Sequence, residues 1–105
     1  MPGESIAVAV LLGEAARGHP AVTAATSANA TVWEASGEPF AALDGRAAEF
    51  RLRPDMVRAA LRTPGTRASD RGPDWVVFET PTEPDRYDVD RLRSWFEMAV
   101  RLAGG

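Results

Sequence analysis

The sequence predicts an α+β fold, a single-layer antiparallel sheet (a meander) packed against an N-terminal and a long C-terminal helix. Three observations carry this. Short β-branched or aromatic runs punctuated by Ser-Gly and Asp-Gly pairs fill the middle of the chain, an Ala-rich apolar segment precedes them, and residues 88 to 103 carry apolar side chains at helical spacing. With 105 residues, 45% of them hydrophobic, the chain has material for one core and reads as a single domain, residues 1 to 105.

Residues 5 to 17 stop at Gly18 with His19-Pro20 beyond, the pattern of a helix ended by Gly and followed by Pro. Ile6, Val8, Val10 and Leu12 also alternate with smaller residues, so a strand competes over the first half. Val22 to Glu34 reads as a strand, a turn at Ser27-Ala28-Asn29 and a second strand ending at Trp33. Ser36-Gly37 turns the chain into Pro39 to Leu43, and Asp44-Gly45 turns it again into Ala47 to Arg53. Two registers compete for this hairpin. A two-residue Asp44-Gly45 turn sets Phe40 opposite Glu49, whereas a loop one residue longer sets Phe40 opposite Phe50 and Ala42 opposite Ala48. Burying two facing Phe side chains is worth about 2 to 3 kcal/mol each, more than a cross-strand preference, which favours the second. Leu52 extends the inner face, and Arg51 and Arg53 point outward with Glu49.

Pro54 and Asp55 open a helix whose Met56, Val57, Ala60 and Leu61 form one stripe, ended by Pro64-Gly65. Residues 64 to 74 read as a polar loop, Trp75 to Glu79 as a strand, and Thr80 to Tyr87 as a Pro-rich connection. The last helix begins at an Asp88 cap and runs to about Ala103. Val89, Leu92, Phe96, Ala99, Val100 and Ala103 share one face, and Trp95, Met98 and Leu102 form an adjoining flank. The apolar arc is roughly 200° wide, twice the minimum stripe of a surface helix, so the flank either meets the N-terminal helix or serves as a partner surface.

The net charge of -3 hides an uneven distribution. Residues 1 to 45 hold one Arg against five acids, Arg46 to Arg71 hold seven Arg against three, and the rest holds four against seven. The central segment is therefore a basic island, and every basic residue in the chain is Arg, the better group for bidentate phosphate contact. Arg51, Arg53, Arg58, Arg62, Arg67 and Arg71 lie on a predicted strand face, the next helix and the following loop, and are the candidate contacts for an anionic partner.

With no cysteine, the chain has no disulfide framework, thiolate nucleophile or thiolate metal ligand, which suits a reducing cytoplasm. The leading Met-Pro-Gly-Glu has no basic residue before the apolar run Ile6 to Leu12, unlike a signal peptide, and seven apolar residues do not span a bilayer. His19 is the only histidine and sits in a Gly-His-Pro turn with no acid or nucleophile beside it in sequence. Phosphate-loop, dinucleotide and nucleophile-elbow motifs are absent, so neither an enzyme nor a cofactor nor a metal is expected.

Pro39-Phe40-Ala41-Ala42-Leu43, Phe50-Arg51-Leu52-Arg53-Pro54-Asp55, Pro64-Gly65, Trp75-Val76-Val77 and the helix from Asp90 to Leu102 follow one another in an order that resembles the YjbR or MmcQ-like family of small bacterial α+β proteins. The likeness spans about residues 32 to 103. It implies a sheet packed on helices and a DNA-binding role suggested for the family, with arginines standing where that family has lysines. Arg71 to Val76, an Arg-Gly-x-x-Trp-Val stretch, is also similar to a small actinobacterial domain described as luciferase-associated.

The expected function is a non-enzymatic cytoplasmic binding or interaction module that contacts an anionic partner, in its specific form nucleic acid, through the arginine face. A second expectation is a small-molecule-binding or enzyme-accessory protein with a pocket lined by Trp33, Trp75 or Trp95. A third is a homodimer built on Trp95, Met98 and Leu102.

Overall fold

A computed structural model describes residues 3 to 104, with side chains from Val8 onward. Helix α1 (Gly3–Arg17) leads into strands β1 (Val22–Ser27), β2 (Ala30–Ala35), β3 (Glu38–Asp44) and β4 (Ala47–Arg51), then α2 (Pro54–Ala60), β5 (Thr66–Ala68), β6 (Trp75–Glu79) and α3 (Arg86–Leu102). The strand order is β1-β2-β3-β4-β6-β5, with every neighbouring pair antiparallel. The α+β prediction with helices at both ends holds. The meander covers the first four strands; the chain then passes over β6 to place β5 at the edge.

Helix wins over strand in the N-terminal segment. Val8 and Leu12 are buried, and Leu11, Ala15 and Ala16 pack against them, a stripe of helical spacing that the alternation of Ile6 to Leu12 conceals. The segment from residue 64 to 74 is not all loop. Three of its residues, Thr66 to Ala68, pair with Val76 to Phe78, a strand too short to leave a periodic signature in sequence.

The hairpin between β3 and β4 follows neither expected register. Asp44 faces Ala47 and Ala41 faces Phe50, so the turn residues are Gly45 and Arg46. Gly45 alone of the two has positive φ, at 63°, which is the type II′ pattern and needs glycine at the first central position. A regular ladder in that register would point Phe40 away from Phe50. Between the pairs Trp33↔Ala41 and Glu34↔Pro39, however, β3 holds one extra residue, Phe40, and this bulge re-aims its ring into the core beside Ala41. Both phenylalanines are thus fully buried on one side of the sheet, as the hydrophobic argument requires, by a bulge instead of a register.

Helix α3 begins two residues before the expected Asp88. Asp85 is the cap: its carboxylate accepts the Asp88 N–H at 2.8 Å, and the Asp88 carboxylate accepts the Asp85 N–H at 2.9 Å, a reciprocal capping box. Asp85→Ala is expected to cost about 1 kcal/mol, read as a lower urea midpoint at unchanged slope. An unshifted midpoint would mean that the reciprocal bonds contribute nothing.

The wide apolar arc of α3 is filled from within the molecule. Phe96 meets Trp33 and Phe40 edge-on, with ring centroids 5.7 and 5.2 Å apart, and Trp95 meets Phe50 and Phe78 edge-on at 6.2 and 6.1 Å. Two consecutive side chains, about 100° apart, therefore straddle the sheet, one over β2–β3 and the other over β4 and β6. Helix α1 packs beside α3 and over β1, and α2 packs on the β6 side. His19, just beyond α1, ties the two long helices together, its Nε2 2.8 Å from Glu97 Oε1. The acid that the sequence did not place beside His19 lies 78 residues away.

Candidate functional site

Strand alternation decides where the arginines go. Phe50 and Ala48 face the helices, so Arg51 and Glu49 lie on the opposite, helix-free side of the sheet, with Trp75, Val77 and Arg67 paired across from them. The segment after β5 folds back over this side. Ser69 Oγ donates to Glu49 Oε1 at 2.5 Å, Arg71 Nε lies 3.2 Å from the same oxygen, and the Arg71 guanidinium stacks 5.5 Å above the Trp75 ring. Arg67 Nη1 donates to Glu79 Oε2 at 2.8 Å, and Arg51 Nη1 lies 3.5 Å from Glu38. An open cavity of about 420 Å³ lies over this patch, yet its cations already face carboxylates.

The remaining three arginines leave the sheet. Arg53 lies 3.0 Å from Asp55 at the start of α2, and its hydrogen bonds hold the Asp55 carboxyl below its ordinary pKa. Arg58 and Arg62 are exposed and form no ion pair among the described residues. Arg58 follows Asp55 by three residues on α2, whereas Arg62 lies past its end, because the helix stops at Ala60, short of the expected Pro64-Gly65. The six-arginine face expected from sequence is therefore divided. Arg51, Arg67 and Arg71 occupy the helix-free side of the sheet, each beside an acid, whereas Arg53, Arg58 and Arg62 belong to the entry, body and exit of α2. Proximity in sequence failed as a guide because the turn at Leu52 to Pro54 carries the chain from the sheet to a helix on its other side.

The aromatic pocket does not assemble. Trp33 and Trp95 are core residues, 4% and 6% exposed, and Trp75 lies on the opposite side of the sheet under Arg71. The expected dimer surface also loses its centre, since Trp95 is enclosed by Phe50 and Phe78. Its other two members survive at the surface. Met98 is half-buried and Leu102 is 40% exposed, and both line a cleft of about 490 Å³ between α2 and α3.

That cleft is closed by Arg53, Asp55 and Met56 from the α2 side and by Arg101 from α3. Its size and its mixture of apolar walls with a few charged groups are those of a small-ligand site. Sequence reasoning placed Met56 in a core stripe and left Arg101 unassigned. Arg101 stands three residues after Met98, which puts a cation at the rim of the apolar flank; only the tertiary packing supplies the α2 wall. Arg101 has no acid partner among the described residues. Among those residues no group of three or more His, Asp or Glu converges as a metal site, and no helix is long and apolar enough to cross a membrane. No family model, curated protein or solved structure matches the chain.

Proposed function

We propose that this chain is a non-enzymatic, cytoplasmic binding module that takes a small amphipathic anion in the cleft between α2 and α3. The observation that carries this reading is the composition of the cleft, in which the thioethers of Met56 and Met98 and the Leu102 side chain meet two guanidiniums, Arg53 and Arg101. Methionines adapt to irregular apolar ligands, and a guanidinium grips a carboxylate or phosphate oxygen pair. Arg53 is already held by Asp55, so Arg101 is the group that binds the anionic head.

The test uses methyl-labelled methionine. The Met56 and Met98 methyl resonances report on the cleft wall from both sides while the protein is titrated with decanoate and, separately, with decanol. Decanoate is expected to shift both signals, decanol to bind more weakly, and Arg101→Glu to weaken decanoate at least about tenfold, the loss of one charge-assisted contact. Unmoved methyl signals at saturating decanoate would sink the reading.

A second reading rests on Arg58 at the end of α2 and Arg62 in the turn after it, both exposed and without an ion pair among the described residues, and it is the one that the YjbR resemblance implies. Here the anionic partner is nucleic acid. Titration of labelled single-stranded and duplex DNA decides it. Phosphate contacts require affinity to fall steeply between about 50 and about 200 mM salt, and the Arg58→Glu, Arg62→Glu double variant to abolish binding while decanoate still binds. Binding unaffected by that double variant would exclude α2 as the nucleic-acid surface.

A further inference from the structure

The two edges of the sheet are treated differently. Strand β5 is blunted in the usual ways: it is three residues long, it carries Arg67, and the chain after it turns over the sheet to bond Glu49. Strand β1 has none of these protections. Its six residues, Val-Thr-Ala-Ala-Thr-Ser, contain no charge and no proline, its pairing with β2 has no bulge, and every residue after Val22 is exposed. Proteins that remain monomeric seldom leave such an edge open.

Hairpin geometry identifies the free backbone groups. Ser27 and Ala30 flank a two-residue turn and so form a hydrogen-bonded pair, and alternation makes Ala25↔Val32 and Thr23↔Glu34 the next two. The N–H and C=O groups of Ala24 and Thr26 therefore point away from the sheet, whereas the Val22 N–H is taken by the His19 carbonyl at 3.0 Å. Above the same edge lies α1, whose solvent side exposes Ala9 and Val10, the latter by 50%.

We propose that β1 pairs antiparallel with β1 of a second copy of this chain, joining two sheets of six strands into one continuous sheet around a twofold axis. The occupant is a second copy because of the edge's composition. Self-pairing in the antiparallel sense brings the same six residues together on both sides of the axis, so any charge on β1 would be repeated within the interface, and β1 has none. The registers that keep Ala24 and Thr26 in hydrogen-bonded positions centre on Ala24 against Ala24 or Ala25 against Ala25, both small enough for the ladders to close. This interface is separate from Trp95, Met98 and Leu102, and from the cleft that Met98 and Leu102 line.

Molar mass by light scattering over a concentration series tests it, on the parent, on Ala24→Pro, which deletes an outward N–H while leaving the β1–β2 bonds in place, and on Thr26→Lys, which puts a charged side chain on each copy's paired edge. The parent is expected at twice the mass of one chain. Both variants are expected at the mass of one, with an unchanged far-ultraviolet spectrum. A parent that stays monomeric throughout overturns the proposal, as does a dimer that survives Thr26→Lys or survives Ala24→Pro in a folded chain. If Ala24→Pro fails to fold, Thr26→Lys alone decides.

Discussion

Trp95→Glu is expected to unfold the protein and not merely to alter its assembly. The indole is 6% exposed and meets Phe50 and Phe78 edge-on, so the substitution removes a large core side chain and leaves a carboxylate among aromatic rings. Losing the packed indole costs about 3 to 5 kcal/mol, and the desolvated acid adds to it. A domain of this size is stable by only about 5 to 15 kcal/mol, so the sum removes most or all of the folded population. Leu102→Glu, seven residues along the same helix flank, is the control. At 40% exposure and at the C-terminal end of α3 it should cost about 1 to 2 kcal/mol, well below the loss at Trp95. Urea unfolding followed by circular dichroism separates the two, and a Trp95→Glu protein that melts with the parent would place the indole at the surface.

Phe40→Ala should destabilise by about 3 to 5 kcal/mol, the cost of emptying an aromatic site in a core that cannot collapse around it. Phe40 is fully buried, and its ring lies 5.2 Å from that of Phe96 at 76°. The substitution also tests the bulge. In a regular ladder with Ala41 opposite Phe50, the residue before Ala41 would point to the helix-free side, and its truncation would cost about 1 kcal/mol or less. A urea midpoint that barely moves would therefore argue that β3 and β2 pair without the extra residue.

The candidate cleft was only half legible. Its α3 wall followed from helical spacing, which set Met98 and Leu102 beside Trp95 on one flank. Whether that flank was core or surface depended on how far the arc reached over the sheet, and it passes from core to surface between Trp95, enclosed by the rings of Phe50 and Phe78, and Met98, which is half-buried at the cleft. The arginine face failed for a related reason. A run of like charges in sequence states nothing about direction, and strand alternation together with the turn into α2 sends Arg51 and Arg53 to different sides of the molecule.

Local chemistry was sufficient wherever a short window contains its own cause. Alternation and turn residues placed the first four strands to within a few residues. Pro54 started α2, and the apolar spacing of residues 89 to 103 defined α3, because each of these reflects one chain's period and dihedral preferences. Pairing and direction were set elsewhere. The II′ turn at Gly45-Arg46, the bulge at Phe40, the insertion of β6 between β4 and β5, the Glu97 partner of His19 and the α2 wall of the cleft all join residues whose fit is fixed by a shared core. A one-residue change of register conserves the local pattern while reversing every side chain, so only the packing of Phe40, Phe50, Trp95 and Phe96 against one another selects among registers that look alike along the chain.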